Sequence, residues 1–240
     1  MGFLATKFMK YKFKKYDVKY KMEFKENIFY AKRYIVDFIY SGAKIEGCNV
    51  TFPQTKTIID GVSVGGISMS EVECIINLRD AWRFFFDNIK KKLDLNFILK
   101  TNSFIARNES LEWGVLRKGQ IGISGTNLIL DPPVEEEVKK ELKDILKIKT
   151  PVSRAIYYYL WAAKRQLFWD GNKRTSMLIA NKILINTGAG LFLIKEENLL
   201  EFNERLTKYY NTDDYGEMDD FLYEKCTFGN ILGDHMVHEK

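Results

Sequence analysis

Histidine is almost missing from this 240-residue chain: there are two, His235 and His238, and both fall within the last six residues. Any acid–base chemistry carried by the body must therefore do without an imidazole. Cysteine is nearly as scarce. Cys48, Cys74 and Cys226 are far apart, form no CxxC and have no histidine beside them, which excludes a disulfide framework and a zinc site and reads as buried free thiols. No stretch approaches the ~20 uninterrupted apolar residues of a membrane span. The N-terminus alternates lysines with aromatics and lacks the apolar centre of a signal peptide, so a cytoplasmic protein is expected. Prolines number four (Pro53, Pro132, Pro133, Pro151), each where a helix should start or a loop should turn.

What is present is enough apolar and aromatic material, 46% and 14%, for one sizeable core. Net charge is +5, and the segment 1–26 holds eight lysines against three acids, so the basic character belongs to one end and the body is close to neutral. This arm, 1–25, reads as a solvated Lys-rich leader. Without a basic helix or zinc finger, nucleic-acid binding is not expected.

Apolar spacing predicts one helix over Glu26–Ile45, ended by Gly47, and a second over Ser68–Lys92 with Ser70 and Glu73 at capping-box spacing. The stretch between them, with Gly61, Gly65 and Gly66, reads as a loop. Gly114–Leu130 mixes glycine with short β-leaning pairs and suggests a small hairpin. Asp131 as N-cap with Pro132 opens a further helix, and Thr150-Pro151 another that reaches about Phe168. A helix over Asn172–Thr187 and a last pair over Glu196–Tyr210 and Glu217–Lys225 complete a mainly α chain with one small β element.

Chemistry concentrates in FWDGNKR, residues 168–174. Backbone N–H groups at the start of the helix that follows have no intrahelical acceptor, and its dipole adds positive potential. Gly171 allows close approach, so a phosphate could rest on these amides with Lys173 and Arg174 supplying charge. An acid beside an anion site suggests a bridging cation, and Mg²⁺, which takes one carboxylate plus phosphate oxygens and water, suits Asp170. These parts describe a nucleotide–Mg²⁺ site for phosphoryl or nucleotidyl transfer. The spacing alone suits equally a tight helix–helix turn with an Asp/Asn cap and surface cations.

The stretch resembles the Fic/Doc (Fido) signature H-x-F-x-[D/E]-G-N-[G/K]-R, and Gln166–Arg174 matches it everywhere but at the first place. The resemblance covers roughly 26–228, with Ala43–Gly47 similar to the segment that carries an inhibitory glutamate, Gly114–Pro133 to the flap, and 214–226 to the closing helices. A tail, 229–240, follows. The resemblance implies the Fic helical fold with a β-hairpin flap, and transfer of AMP, or in the Doc branch phosphate, from ATP or a related nucleotide to a Ser, Thr or Tyr hydroxyl of a protein docked along Gly114–Leu130. It implies that Phe168 anchors the loop, Asp170 holds Mg²⁺, the Gly171, Asn172 and Lys173 positions cradle phosphates, and Arg174 pairs with a terminal phosphate.

Three departures qualify these expectations. Gln166 stands where the family has its general base, and loss of such a base typically costs ~10²–10⁴-fold, so activity is expected to be reduced or absent. Met177 stands at the place of the second arginine, the usual partner of the inhibitory glutamate, and Gly42 at that of the motif's opening Ser/Thr. Glu46 is then either a helix-end acid without a regulatory role or an acid that finds another cation, Arg174 first, and Glu46→Gly is not expected to release strong activity. The alternative to a weakened transferase is an inactive regulatory or partner-binding protein on the same scaffold.

Overall fold

The computed structural model describes residues 14–230, so His235 and His238 lie outside it. Among the described residues there are ten α-helices, eight of them arranged around one long helical hairpin, with two short antiparallel ribbons at its edges. The hairpin consists of α7 (Pro151–Arg165) and α8 (Asn172–Asn186). Both are buried on nearly every side. Helix α8 divides the interior. Met177, Ile179, Ala180, Ile183 and Leu184 join a core shared with α7, whereas Leu178 and Ile185 face the N-terminal helices. Each such aliphatic side chain contributes roughly 1.5–3 kcal/mol on burial. Polar residues of α8 are spent on backbone: Asn181 exchanges hydrogen bonds with Phe192 on β3 (Leu191–Phe192), and Lys182 Nζ donates to Asn88 O and Ile89 O.

The N-terminal half is built from α1 (Phe24–Arg33), α2 (Ile35–Ile45), α3 (Phe52–Ile59), α4 (Met69–Asp87) and α5 (Leu95–Ile105). The helix expected over Glu26–Ile45 bends at Tyr34 (φ −91°, ψ 17°), while Tyr34 N–H and Phe38 N–H still find their i−4 carbonyls. Two corrections follow from caps. Thr51 and Gln54 form a capping box with Pro53 in the first turn, which places α3 inside the expected loop. The cap of α4 is Ser68 with Glu71, one pair earlier than Ser70 and Glu73, and Glu73 instead accepts from Asn108 Nδ2 at 2.7 Å.

In the flap, β1 (Ile121–Gly122) pairs with β2 (Ile129–Leu130) in the register Ile121↔Leu130. Helix α6 (Glu135–Leu146) starts later than Asp131-Pro132 suggests. Asp131 is committed elsewhere: its carbonyl accepts from Arg117 and its carboxylate from Gln120. The last helices are α9 (Leu199–Thr212) and α10 (Gly216–Cys226), and β4 (Thr227–Phe228) returns to pair with β3, a ribbon that residue spacing did not signal.

Of the basic arm, residues 14–25 are described, and these lie against the body. Tyr16 N–H donates to Ser153 Oγ, Lys14 and Lys19 pair with Asp220 and Glu224 on α10, and Met22 N–H reaches Gly188 O. No helix among the described residues is long and apolar enough to cross a membrane.

Candidate active site

Helix α7 ends at Gln166, which takes the left-handed conformation (φ 48°, ψ 63°), and α8 begins after Gly171 (φ 73°). The loop between them is fixed from within. Asn172 Oδ1 accepts from Phe168 N–H at 2.9 Å, and its Nδ2 donates to Phe168 O and to Gln166 Oε1. Gln166 completes its amide by donating Nε2 to Ala163 O at 2.6 Å. Gln166 is thus a neutral amide with both halves engaged. Phe168 is buried at 2% exposure, anchoring the turn. Gly171 is needed twice over: its φ is positive, and a Cβ there would come within 2.9 Å of Ile105 Cγ2.

Helix α8 opens at this glycine, so the N–H groups of Asn172, Lys173 and Arg174 lack intrahelical acceptors. Lys173 points its amine at Ile45 O, 2.9 Å away, where it caps α2. The rest of that helix end closes as a Schellman turn: Cys48 N–H donates to Ala43 O and Gly47 N–H to Lys44 O, with Gly47 at φ 82°. The turn carries Glu46 to Arg174.

Arg174 is 1% exposed and meets three carboxylates. Its Nη2 lies 2.5 Å from Glu109 Oε2 and 3.0 Å from Asp170 Oδ1, and its Nε lies 3.3 Å from Glu46 Oε1. Burial alone would make the guanidinium a weaker base, but Glu46 and Glu109 more than offset it, and the net shift is upward. The Glu46 contact differs from the others. Glu46 Oε1 and Arg174 Nε are both buried, and neither makes a hydrogen bond. Charge holds this pair, not alignment, and one N–H of the guanidinium remains unspent.

The cavity in front of Arg174 measures about 600 Å³ and is bounded by Glu46, Glu71, Glu73, Glu109 and Asp170 on its acidic sides. Among the described residues Arg174 is the one cation lining it. An anion can therefore enter only by taking a carboxylate's place on Arg174 or by bringing countercharge. Asp170 is the more solvated of Arg174's partners, with its side chain 38% exposed, and Oδ1 also accepts from Gly171 N–H. No cluster of three or more acidic, His or Cys side chains among the described residues could hold a metal unaided. One carboxylate at the cavity wall fits an ion such as Mg²⁺ that keeps most of its water and binds through phosphate oxygens.

Residues 92–184 match the family model described as Fic/DOC family. That span runs from α5 through the flap and the loop to α8. This stretch is similar to the Fic/DOC family. It is 25% identical over 179 residues to the protein adenylyltransferase fic-1 of Caenorhabditis elegans, covering 69% of this chain and 34% of that protein. To the protein adenylyltransferase Fic of Nematostella vectensis it is 24% identical over 204 residues, 79% of this chain and 46% of that one. The chain thus spans between a third and a half of the length of these relatives. Among solved structures, Fic-1 from C. elegans superposes with a TM-score of 0.70 at 21% identity over 92% of this chain and 65% of that one. A Fic domain containing signaling protein from Bacteroides thetaiotaomicron gives 0.64 at 18%, over 85% and 81%. The mainly α Fic fold expected from the sequence is the fold observed.

Three residues of this site were not singled out from the sequence. Glu109 is the tightest partner of Arg174. Asn102, buried on α5, donates to Asp170 O and accepts from Gly114 N–H. Arg117, 2% exposed, donates Nε to Gln166 O and spends its other donors on Gly119 O, Leu130 O and Asp131 O, tying the flap to the loop. Trp169 closes the same seam, for a Cβ on Gly119 would meet its ring at 2.6 Å. The apolar spacing from Leu95 to Ile105 after Asp94, whose carboxylate caps Phe97 N–H, could have revealed α5 and with it Asn102.

Proposed function

We propose that this chain binds the phosphates of ATP at the start of α8 and transfers AMP to a protein hydroxyl in the cytoplasm, slowly, because Gln166 occupies the place of the base. The carrying observation is Arg174: a buried guanidinium lining the cavity with an unbonded Nε beside a carboxylate that does not hydrogen-bond it. A phosphate oxygen in the position of Glu46 Oε1 satisfies that N–H, and the adjacent first-turn amides add donors. Asp170 would hold Mg²⁺, which supplies charge neutralisation for the phosphates when bound. Asn172 acts by holding the loop through Gln166 and Phe168 rather than by touching phosphate with its side chain. The Gly114–Leu130 edge would align a target segment; its stapling by Arg117 supports this reading. Naming of the matched relatives as protein adenylyltransferases favours AMP over phosphate as the group moved.

In the transfer, the hydroxyl oxygen forms a bond to the α-phosphorus, pyrophosphate departs, and the hydroxyl proton needs an acceptor. The Gln166 amide cannot take it. Gln166→His places an imidazole of ordinary pKa near ~6.5 at that position, where donation to Ala163 O leaves the other ring nitrogen free to accept. Labelled ATP with intact-mass readout should show transfer rising by at least ~10²-fold in this variant. Equal silence of both proteins with ATP would favour a regulatory, non-transferring role, and equal activity would show that the base does not limit.

A further inference from the structure

Cys48 and Cys74 converge on the cavity from different elements: Cys48 is the last residue of the Schellman turn that presents Glu46, and Cys74 lies on α4. Both line the cavity with Arg174, and Asn49 N–H, next to Cys48, donates to Glu71 Oε1 at 2.6 Å, one turn before Cys74 on α4. Arg174 Nη1 sits 3.4 Å from Cys74 Sγ. Cys48 is half-buried and Cys74 buried, and both are free. The two sulfurs are unequal. Hydrogen bonding from Cys74 lowers the Cys48 thiol, assisted by Arg174 and opposed by burial, whereas Cys74 is pushed up by the same hydrogen bond and by burial. A thiolate-prone, partly accessible sulfur beside a buried second thiol is the arrangement in which one cysteine attacks and the other resolves. Cys226, 1% exposed in the other core, shares none of these features.

We propose that Cys48 and Cys74 form a redox pair, closed to a disulfide by a low-molecular-weight disulfide such as oxidised glutathione, which locks the Glu46 turn onto α4 and holds Glu46 against Arg174. Cys48 sulfur attacks one sulfur of the oxidant and releases the first thiol. Cys74 sulfur then attacks Cys48 sulfur and releases the second thiol. Two protein thiols and one small disulfide become one protein disulfide and two small thiols, so the protons leave with the departing thiols and the protein loses two electrons. The carboxylate of Glu46 can rotate, but withdrawal of the turn that carries it needs residues 46–48 to shift, and a bond from Cys48 to α4 opposes that shift. The effect on nucleotide binding rests on the function proposed above, while formation of the bond does not.

The test uses the full chain, incubated with oxidised glutathione or with dithiothreitol. Non-reducing digestion and mass spectrometry should show a Cys48 peptide linked to a Cys74 peptide, absent in Cys48→Ser and in Cys74→Ser, with Cys226 still a free thiol. Mixed disulfides of Cys48 with glutathione alone, or linkage through Cys226, would overturn the pair. Amide exchange at Gly47–Asn49 should slow at least tenfold on oxidation, and an unchanged rate would overturn the lock. ATP should bind the oxidised protein at least tenfold more weakly, with recovery on reduction, and equal affinities would overturn control of the site. Absence of ATP binding in the reduced protein would instead sink the nucleotide reading and its control by oxidation, with linkage and exchange still deciding the pair.

Discussion

Arg117 and Arg174 are both almost wholly buried and flank the same loop, yet they are held by different chemistry. Every hydrogen bond found for Arg117 ends on a backbone carbonyl, from Gln166, Gly119, Leu130 and Asp131. Arg174 is held mainly by the carboxylates of Glu46, Glu109 and Asp170, side chains that can rotate away. Carbonyls cannot leave without unfolding the flap, so Arg117 is a fixed staple. Carboxylates can be exchanged for phosphate, as the proposed function requires of Arg174. The same residue type at the same depth is thus structural in one place and available in the other, and the distinction lies in whether its acceptors belong to backbone or to side chains.

Stability measurements separate the two. Arg117→Met leaves four carbonyls without their donor and should cost roughly 3 kcal/mol or more in chemical denaturation. Arg174→Gln should cost less, because Glu46, Glu109 and Asp170 reach the cavity and can be hydrated once the cation is gone. Equal costs, or a smaller cost at Arg117, would erase the distinction.

A weaker version of the same contrast is Lys182, also buried and also donating only to carbonyls in the bonds it makes. Unlike arginine it can lose its proton. Burial, with nearby Lys90 second, pulls it down to about 8 from an ordinary 10.5. A depressed folded-state value means that the unfolded chain binds the extra proton between those limits. The stability contribution is therefore complete above about 10.5 and is lost as pH falls through about 8. Urea midpoints should rise with pH across that window, and Lys182→Met should flatten the rise. An identical slope in the variant would mean that Lys182 stays hydrated.

The loop and its helix were legible because they depend on local signals. Gly171 marks the turn, Asn172 opens α8 as spacing required, and Phe168 is the anchor it resembles. Helix α3 was hidden because a short capped segment sits between glycines, and the cap of α4 was misplaced because two Ser/Glu pairs overlap by two residues. Lys173 shows the deeper limit. Its charge was assigned to a phosphate, but its amine reaches a carbonyl of α2, a partner far away in sequence. Glu109 and Arg117 act only through tertiary contacts, and no local spacing announces them. Met177, read as the loss of a partner for Glu46, proves less decisive: it is buried beside Ser41, and Glu46 lies against Arg174 instead. Arg174 is the other cation foreseen for Glu46, which makes Glu46→Gly a test of binding as well as of activity.

Calorimetric titration of ATP, with and without Mg²⁺, into the parent, Glu46→Gly and Arg174→Gln addresses the exchangeable guanidinium most directly. Removing Glu46 should tighten binding at least tenfold by freeing Arg174 Nε, since a hydrogen bond to a charged group is worth ~1.5–3 kcal/mol. Arg174→Gln should abolish that gain when combined with Glu46→Gly and should weaken binding by more than tenfold on its own, with Mg²⁺ strengthening binding wherever Asp170 is intact. Affinities that are the same in all three proteins would contradict the assignment of Arg174 as the phosphate site.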